Sequence, residues 1–124
     1  MQFKKQVEFP LLDEYRKIFD ITDKTVFAYD DTIYTNYELS PDLLIHEETH
    51  LKQQEKYGLE TWVLWYFNDL KFRLKVEVEA YRKQINSISD RELRFHIRQE
   101  SIKNLSSGLY GDMVTENEAR LLLK

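Results

Sequence analysis

The chain has 124 residues, 42% of them hydrophobic and 32% charged, with a net charge of −4 and no cysteine. These values describe one globular domain over residues 1–124, large enough for a core of its own. They exclude disulfides and thiolate zinc ligands, and they lack the basic footprint of a nucleic-acid binder, so no nucleic-acid partner is expected.

The N-terminus carries no apolar run after Met1–Lys5, and the longest apolar stretch, Trp62 to Phe67, is too short to span a bilayer. A cytoplasmic protein without a membrane partner is therefore expected. Leu11 to Ile21 reads as a short helix with Leu12, Tyr15, Ile18 and Phe19 on one face. Two strands follow, Val26–Tyr29 and Thr32–Thr35, with Asp30-Asp31 as the turn of a hairpin.

Ser40 and Pro41 then read as the N-cap and first residue of a helix that runs to Tyr57, with Gly58 as its stop. Within it lies His46-Glu47-Glu48-Thr49-His50, an H-E-x-x-H array. Residues four apart on a helix share a face, so His46 and His50 can present two imidazole nitrogens to one metal ion. Glu47 projects from the flank, placed to take a proton from a metal-bound water rather than to bind the metal.

Residues 59–86 look helical throughout, yet a continuous antiparallel helix would pass His50 near residue 68. At about 1.5 Å per residue it would lie some 13 Å beyond the motif by residue 77. A break between Asn68 and Lys75 is expected, separating an aromatic helix (Trp62, Trp65, Tyr66, Phe67) from one that returns over the motif. Ser89 with Glu92 reads as the capping box of a further helix, which Gly108 stops. Tyr110-Gly111-Asp112 reads as a turn. Thr115 with Glu118 opens a last short helix through Leu123.

A hydrolytic zinc site takes three protein ligands and one open position. The spacing that would supply a third histidine fails, because Gln53 and Lys56 stand where that pattern has glycine and histidine. His96, between Phe95 and Ile97 on a charged helix, reads as a surface or packing residue. The remaining candidates are Glu77 and Glu79. Leu74, Glu77, Val78, Tyr81 and Ile85 form one apolar stripe, which holds Glu77 and leaves Glu79 outside. A carboxylate on an inward face is costly unless paired or metal-bound, which favours Glu77.

The pair of motifs, His46 to Gln54 and Glu77-x-Glu79-Ala80-Tyr81, resembles the minimal gluzincins and the short metallopeptidase domains of bacteria and phages. The second motif is also similar to the Glu-x-x-Ala-Asp element of the heat-shock membrane metallopeptidases, whose first glutamate is a metal ligand. The resemblance covers residues 40 to 86 and departs at Tyr81, where that element has aspartate.

The resemblance implies a zincin-like α+β domain, mainly helical, with a small β-hairpin or sheet packed on the motif helix. It further implies Zn2+ held by His46, His50 and Glu77, and peptide hydrolysis with Glu47 as general base on a peptide or protein substrate. Tyr81 and Tyr110 are candidates for stabilising the oxyanion. The Thr32–Tyr37 strand is a candidate edge for pairing with an extended peptide. Two rivals remain open. One is an inactive, metal-stabilised binding module in which Glu79 or His96 fills the fourth position. The other is a metal-free interaction domain presenting the aromatic helix.

Overall fold

A computed structural model describes residues 1–124. Helices hold 62% of the chain and a three-stranded sheet supplies the β part, so the fold is mainly helical α+β. Strand β1 spans Gln2–Lys4, followed by a 3-10 turn at Gln6–Glu8 and a five-residue helix α1, Leu12–Arg16. Helix α1 is shorter than the expected Leu11–Ile21. After Phe19 the Asp20 N–H leaves the helical pattern and bonds to the Gly108 carbonyl, 3.0 Å away. Ile18 consequently lies exposed instead of on the buried face.

Strands β2, Phe27–Tyr29, and β3, Thr32–Tyr34, form the expected hairpin, with Asp30 at a φ of 60° in its turn. Aspartate tolerates this left-handed backbone because its short polar side chain can bond locally. Strand β1, unforeseen in the sequence, pairs with β3 in parallel, giving the order β1-β3-β2. This corrects the edge-strand expectation. Thr32–Tyr34 is the central strand, paired on both sides, and cannot receive a peptide. The edges are β1 and β2, and at β2 the Gln54 amide already bonds the Ala28 carbonyl and the Asp30 N–H, at 2.7 and 2.9 Å.

Helix α2, Pro41–Tyr57, has the expected bounds. Ser40 precedes it in extended conformation but makes no side-chain cap bond. Gly58 at φ 87° turns the chain directly into α3, Leu59–Asn68. Asp69 makes the anticipated break: its carboxylate accepts from the Lys71 and Phe72 N–H groups and starts α4, Leu70–Asn86. This side-chain cap supplies the donors at a new helix start with an acceptor.

Helix α5 spans Arg91–Leu105. Its N-cap is Asp90, which accepts from Leu93 N–H, so the Ser89–Glu92 capping box does not form. A 3-10 turn at Gly108–Tyr110 leads to α6, Glu116–Leu122, whose Thr115–Glu118 capping box forms as expected. No helix is long and apolar enough to cross a membrane.

Two apolar clusters organise the packing, and α4 runs through both. Its first half contributes Phe72 and Val76 to an aromatic cluster with Phe9, Tyr15, Phe19, Phe27, Trp62 and Tyr66. Its second half contributes Tyr81 and Ile85 to a cluster with Ile102, Leu105, Ala119 and Leu123. Glu77 sits between Val76 and Tyr81, at the seam of the two clusters, facing α2.

Candidate metal centre

The break at Asp69 resets α4 so that residue 77, rather than residue 68, comes to rest against His46 and His50. Glu77 Oε1 lies 3.3 Å from His46 Nε2 and 3.1 Å from His50 Nε2, and the two imidazole nitrogens are 3.2 Å apart. All three side chains are buried. Tetrahedral zinc with bonds of 2.0–2.1 Å requires ligand atoms about 3.3 Å apart. The observed triangle therefore has the size of one face of such a site.

The tautomers follow from the outer partners. Gln53 donates its amide to the Val76 carbonyl at 3.0 Å and to Glu79 at 2.7 Å. Its oxygen is left facing His50 Nδ1 at 2.9 Å and the Trp62 indole at 3.3 Å, so both N–H groups donate to it. Gln84 donates to Asp42 at 2.9 Å, and its oxygen accepts from His46 Nδ1 at 3.0 Å. With Nδ1 protonated on each ring, both Nε2 lone pairs point toward Glu77. Glu77 is anchored from behind by a hydrogen bond that the Tyr66 hydroxyl donates to its other oxygen.

Three acceptors thus converge in a buried space, an arrangement that requires a cation or a proton among them. In the metal-free chain a proton serves. Burial alone depresses the His50 imidazole, but the Glu77 charge and hydrogen bond outweigh it and raise it to about 9. For Glu77, burial pushes the carboxyl up. The charge of His50 and the hydrogen bond its protonated imidazole donates more than reverse this and hold it well below the usual carboxylate range.

Glu47 is buried beside the triangle, its carboxylate 4.0 Å from His46 Nε2, and no protein group hydrogen-bonds to it. Burial raises its carboxyl, and the pull of the two imidazoles only partly offsets that. It faces a cavity of about 700 Å³ that reaches His46, His50 and Glu77 and is walled by β2, α2, α5 and the Ser107–Tyr110 segment.

Tyr81 also reaches the site. Its ring packs edge-on against His46, with centroids 4.4 Å apart, and its hydroxyl is 2.6 Å from that of Tyr110. Both oxyanion candidates therefore lie together at the cavity wall, each engaged by the other.

Glu79 is exposed and bonded to Gln53, and His96 is exposed on α5. Neither joins the cluster of His46, His50 and Glu77, so neither supplies a fourth ligand. In the aromatic helix, Trp62 and Tyr66 are buried while Trp65 is 43% exposed, so most of that stripe is core.

Sequence reasoning missed Gln84, Tyr66 and Asp42 and gave Gln53 no role. Spacing carried part of the signal. Gln53 lies three residues after His50, and Gln84 seven after Glu77, so each shares a helix face with a member of the cluster. Tyr66 left no such trace, since it lies on a different helix from Glu77 and the angle between α3 and α4 is set by the turn at Asp69. Compared with protein-family models, curated proteins and solved structures, the chain matches none.

Proposed function

We propose that the protein is a zinc-dependent peptide hydrolase of gluzincin type, with a zincin-like arrangement of the motif helix and α4. The observation that carries this reading is the buried triangle of His46 Nε2, His50 Nε2 and Glu77 Oε1, with an unpaired buried carboxylate, Glu47, beside it. The donor set of two imidazoles and one carboxylate suits zinc and leaves the fourth position to the cavity.

When bound, zinc acidifies a water and polarises a carbonyl. Glu47, with no hydrogen bond to hold it elsewhere, accepts the proton of the attacking water and returns it to the leaving amine. Its raised affinity for protons suits both halves of that task. Gln53 and Gln84 hold the imidazoles in the ligating tautomer, and Tyr66 holds the Glu77 carboxylate in place. In the Tyr81–Tyr110 pair one hydroxyl donates to the other, which leaves one hydroxyl proton to donate to the developing oxyanion. The substrate is a peptide or protein segment seated in the cavity, which β2 borders at Phe27 and Ala28.

The lack of a fourth protein ligand supports a hydrolase over a structural zinc site. The test begins with metal content. Protein purified without added metal should hold about one zinc per chain, and Glu77→Ala should weaken its binding by at least tenfold. Glu47→Gln should keep the zinc while slowing hydrolysis of a peptide found by screening by roughly 10²–10⁴-fold. Zinc retention with wild-type turnover in Glu47→Gln would sink the mechanism. A zinc-loaded chain that cleaves nothing in a broad peptide screen would favour the binding module.

A further inference from the structure

The buried polar side chains that line the cavity are nearly all satisfied within the protein. His46, His50, Glu77 and Gln84 bond to one another or to neighbours, and Ser101 donates to the Ile97 carbonyl. Among the tyrosines on the wall, Tyr37 bonds to the Lys24 carbonyl, Tyr66 to Glu77, and Tyr81 to Tyr110. Glu47 is one exception and already has a role. Tyr15 is the other: it lines the cavity, is only 7% exposed, and its hydroxyl has no protein partner.

Packing does not account for that hydroxyl. The Tyr15 ring meets Phe9, Phe27 and Phe67 edge-on at centroid distances of 5.0, 5.5 and 4.6 Å, and lies against Phe19 at 5.4 Å. It is parallel to Tyr66 at 6.2 Å, whose own hydroxyl anchors Glu77. A phenylalanine would keep all these contacts, and the chain uses phenylalanine at four of the five neighbouring positions. No fully buried side-chain polar atom of the chain lacks a partner, so the unpartnered Tyr15 hydroxyl opens onto the cavity, where a ligand can take its hydrogen bond. It does so from the aromatic wall, next to the residue that anchors Glu77.

We propose that the Tyr15 hydroxyl is a substrate-binding donor, which gives its hydrogen bond to a carbonyl or carboxylate oxygen of a peptide seated in the cavity. The inference rests on the cavity being the peptide site of the proposed hydrolase. Tyr15 and Glu47 then divide the work. Tyr15 orients the peptide from the aromatic wall contributed by α1, and Glu47 manages the proton from α2. Both residues are free of internal partners because the substrate and its water supply them.

The test is a binding measurement on protein labelled with 13C at the tyrosine Cζ, zinc-loaded and, separately, metal-free. Two probes are used: N-acetylglycine N-methylamide, which carries only amide carbonyls, and N-acetylglycine, which adds a free carboxylate. The Tyr15 resonance is the one missing from Tyr15→Phe. At least one probe should shift it saturably, and Tyr15→Phe should bind that probe about three- to tenfold more weakly, the size of one neutral hydrogen bond. Zinc content should be unchanged and Tm unchanged or raised.

A response to both probes assigns the partner as a main-chain carbonyl; a response to N-acetylglycine alone assigns a terminal carboxylate. The metal-free arm separates a Tyr15 contact from capture of the carboxylate by zinc. An unmoved Tyr15 resonance, or equal affinity in Tyr15→Phe, overturns the proposal. The readout is binding, so a protein that binds the probes through Tyr15 but cleaves no peptide would overturn the hydrolase reading and leave this one standing.

Discussion

Tyr66→Phe isolates one hydroxyl at the centre of the site. The Tyr66 ring stacks on Trp62 with centroids 4.7 Å apart and planes within 15°, and phenylalanine preserves that contact. What is lost is the donor to the Glu77 oxygen that does not face the histidines. A hydrogen bond to a buried carboxylate contributes roughly 1.5–3 kcal/mol, and here no other donor reaches that oxygen. Without it, Glu77 is free to rotate, and the ligand oxygen loses its fixed approach to His46 and His50.

Zinc affinity should therefore fall about 10- to 100-fold, the usual cost of losing a residue that orients a ligand. That range equals about 1.4–2.7 kcal/mol, in agreement with the hydrogen-bond figure. In the metal-free protein the same loss should lower Tm by roughly 5–15 °C for a chain of this length. Zinc affinity is read by competition with a calibrated chelator, and Tm by circular dichroism with and without chelator. A fall in Tm with zinc affinity within twofold of wild type would refute the reasoning, because the hydroxyl would then support the core and not the ligand.

Gln84→Ala removes the acceptor for His46 Nδ1, frees the tautomer, and should weaken zinc by about tenfold or more with little change in fold, as read by the same competition. The metal-free protein should lose stability as pH rises from about 6.5 through 9, because the raised His50 contributes stability that is complete below its unfolded value and lost through its folded one. Glu77, held below the usual carboxylate range, acts in the opposite direction: its contribution is present above about 4.5 and lost as pH falls. Counted once for the pair, the high-pH loss is on the order of 3 kcal/mol. Melts at pH 6.5 and 9 should show it without zinc and not with zinc, and a flat metal-free Tm would contradict the assignment.

Arg73→Met should destabilise the chain by on the order of 3 kcal/mol, seen in a urea titration, because the buried guanidinium donates to the carbonyls of Tyr66, Phe67 and Tyr110. Unchanged stability would mean that those carbonyls find other donors.

The parts of the molecule written in local spacing were legible. The motif helix from Pro41 to Tyr57, the break near residue 69 and the inward face of Glu77 all follow from periodicity, caps and the reach of a helix. Elements decided by distant partners were not. Strand β1 is three residues long, exposed along its length, and exists only because β3 lies beside it. Its presence turned the expected edge strand into the central one. Helix α1 ended early because Asp20 found Gly108, some ninety residues away in sequence. Asp90 displaced Ser89 as a cap, a shift of one residue that composition could not decide between two good N-cap formers.

The same division holds at the site and explains why the candidate ligands were easier to find than their supports. A metal ligand must carry particular atoms, so the identities expected at His46, His50 and Glu77 were restricted and visible. Their supports need only present a donor or an acceptor, and the chain uses two amides, a phenol and a carboxylate for the purpose. The convergence of those supports is nonetheless directional. Gln53 is tied by Val76 and Glu79, Gln84 by Asp42, and Tyr66 by its stack on Trp62, so each outer residue is itself held before it holds a ligand. Helices α2, α3 and α4 all contribute to this scaffold. A site preorganised from three helices, with its acceptors already at the spacing of a tetrahedral face, costs little rearrangement when a cation enters. Among the buried polar side chains that line the cavity, Glu47 and Tyr15 are the ones not tied in this way, where a reacting water and a peptide would need them.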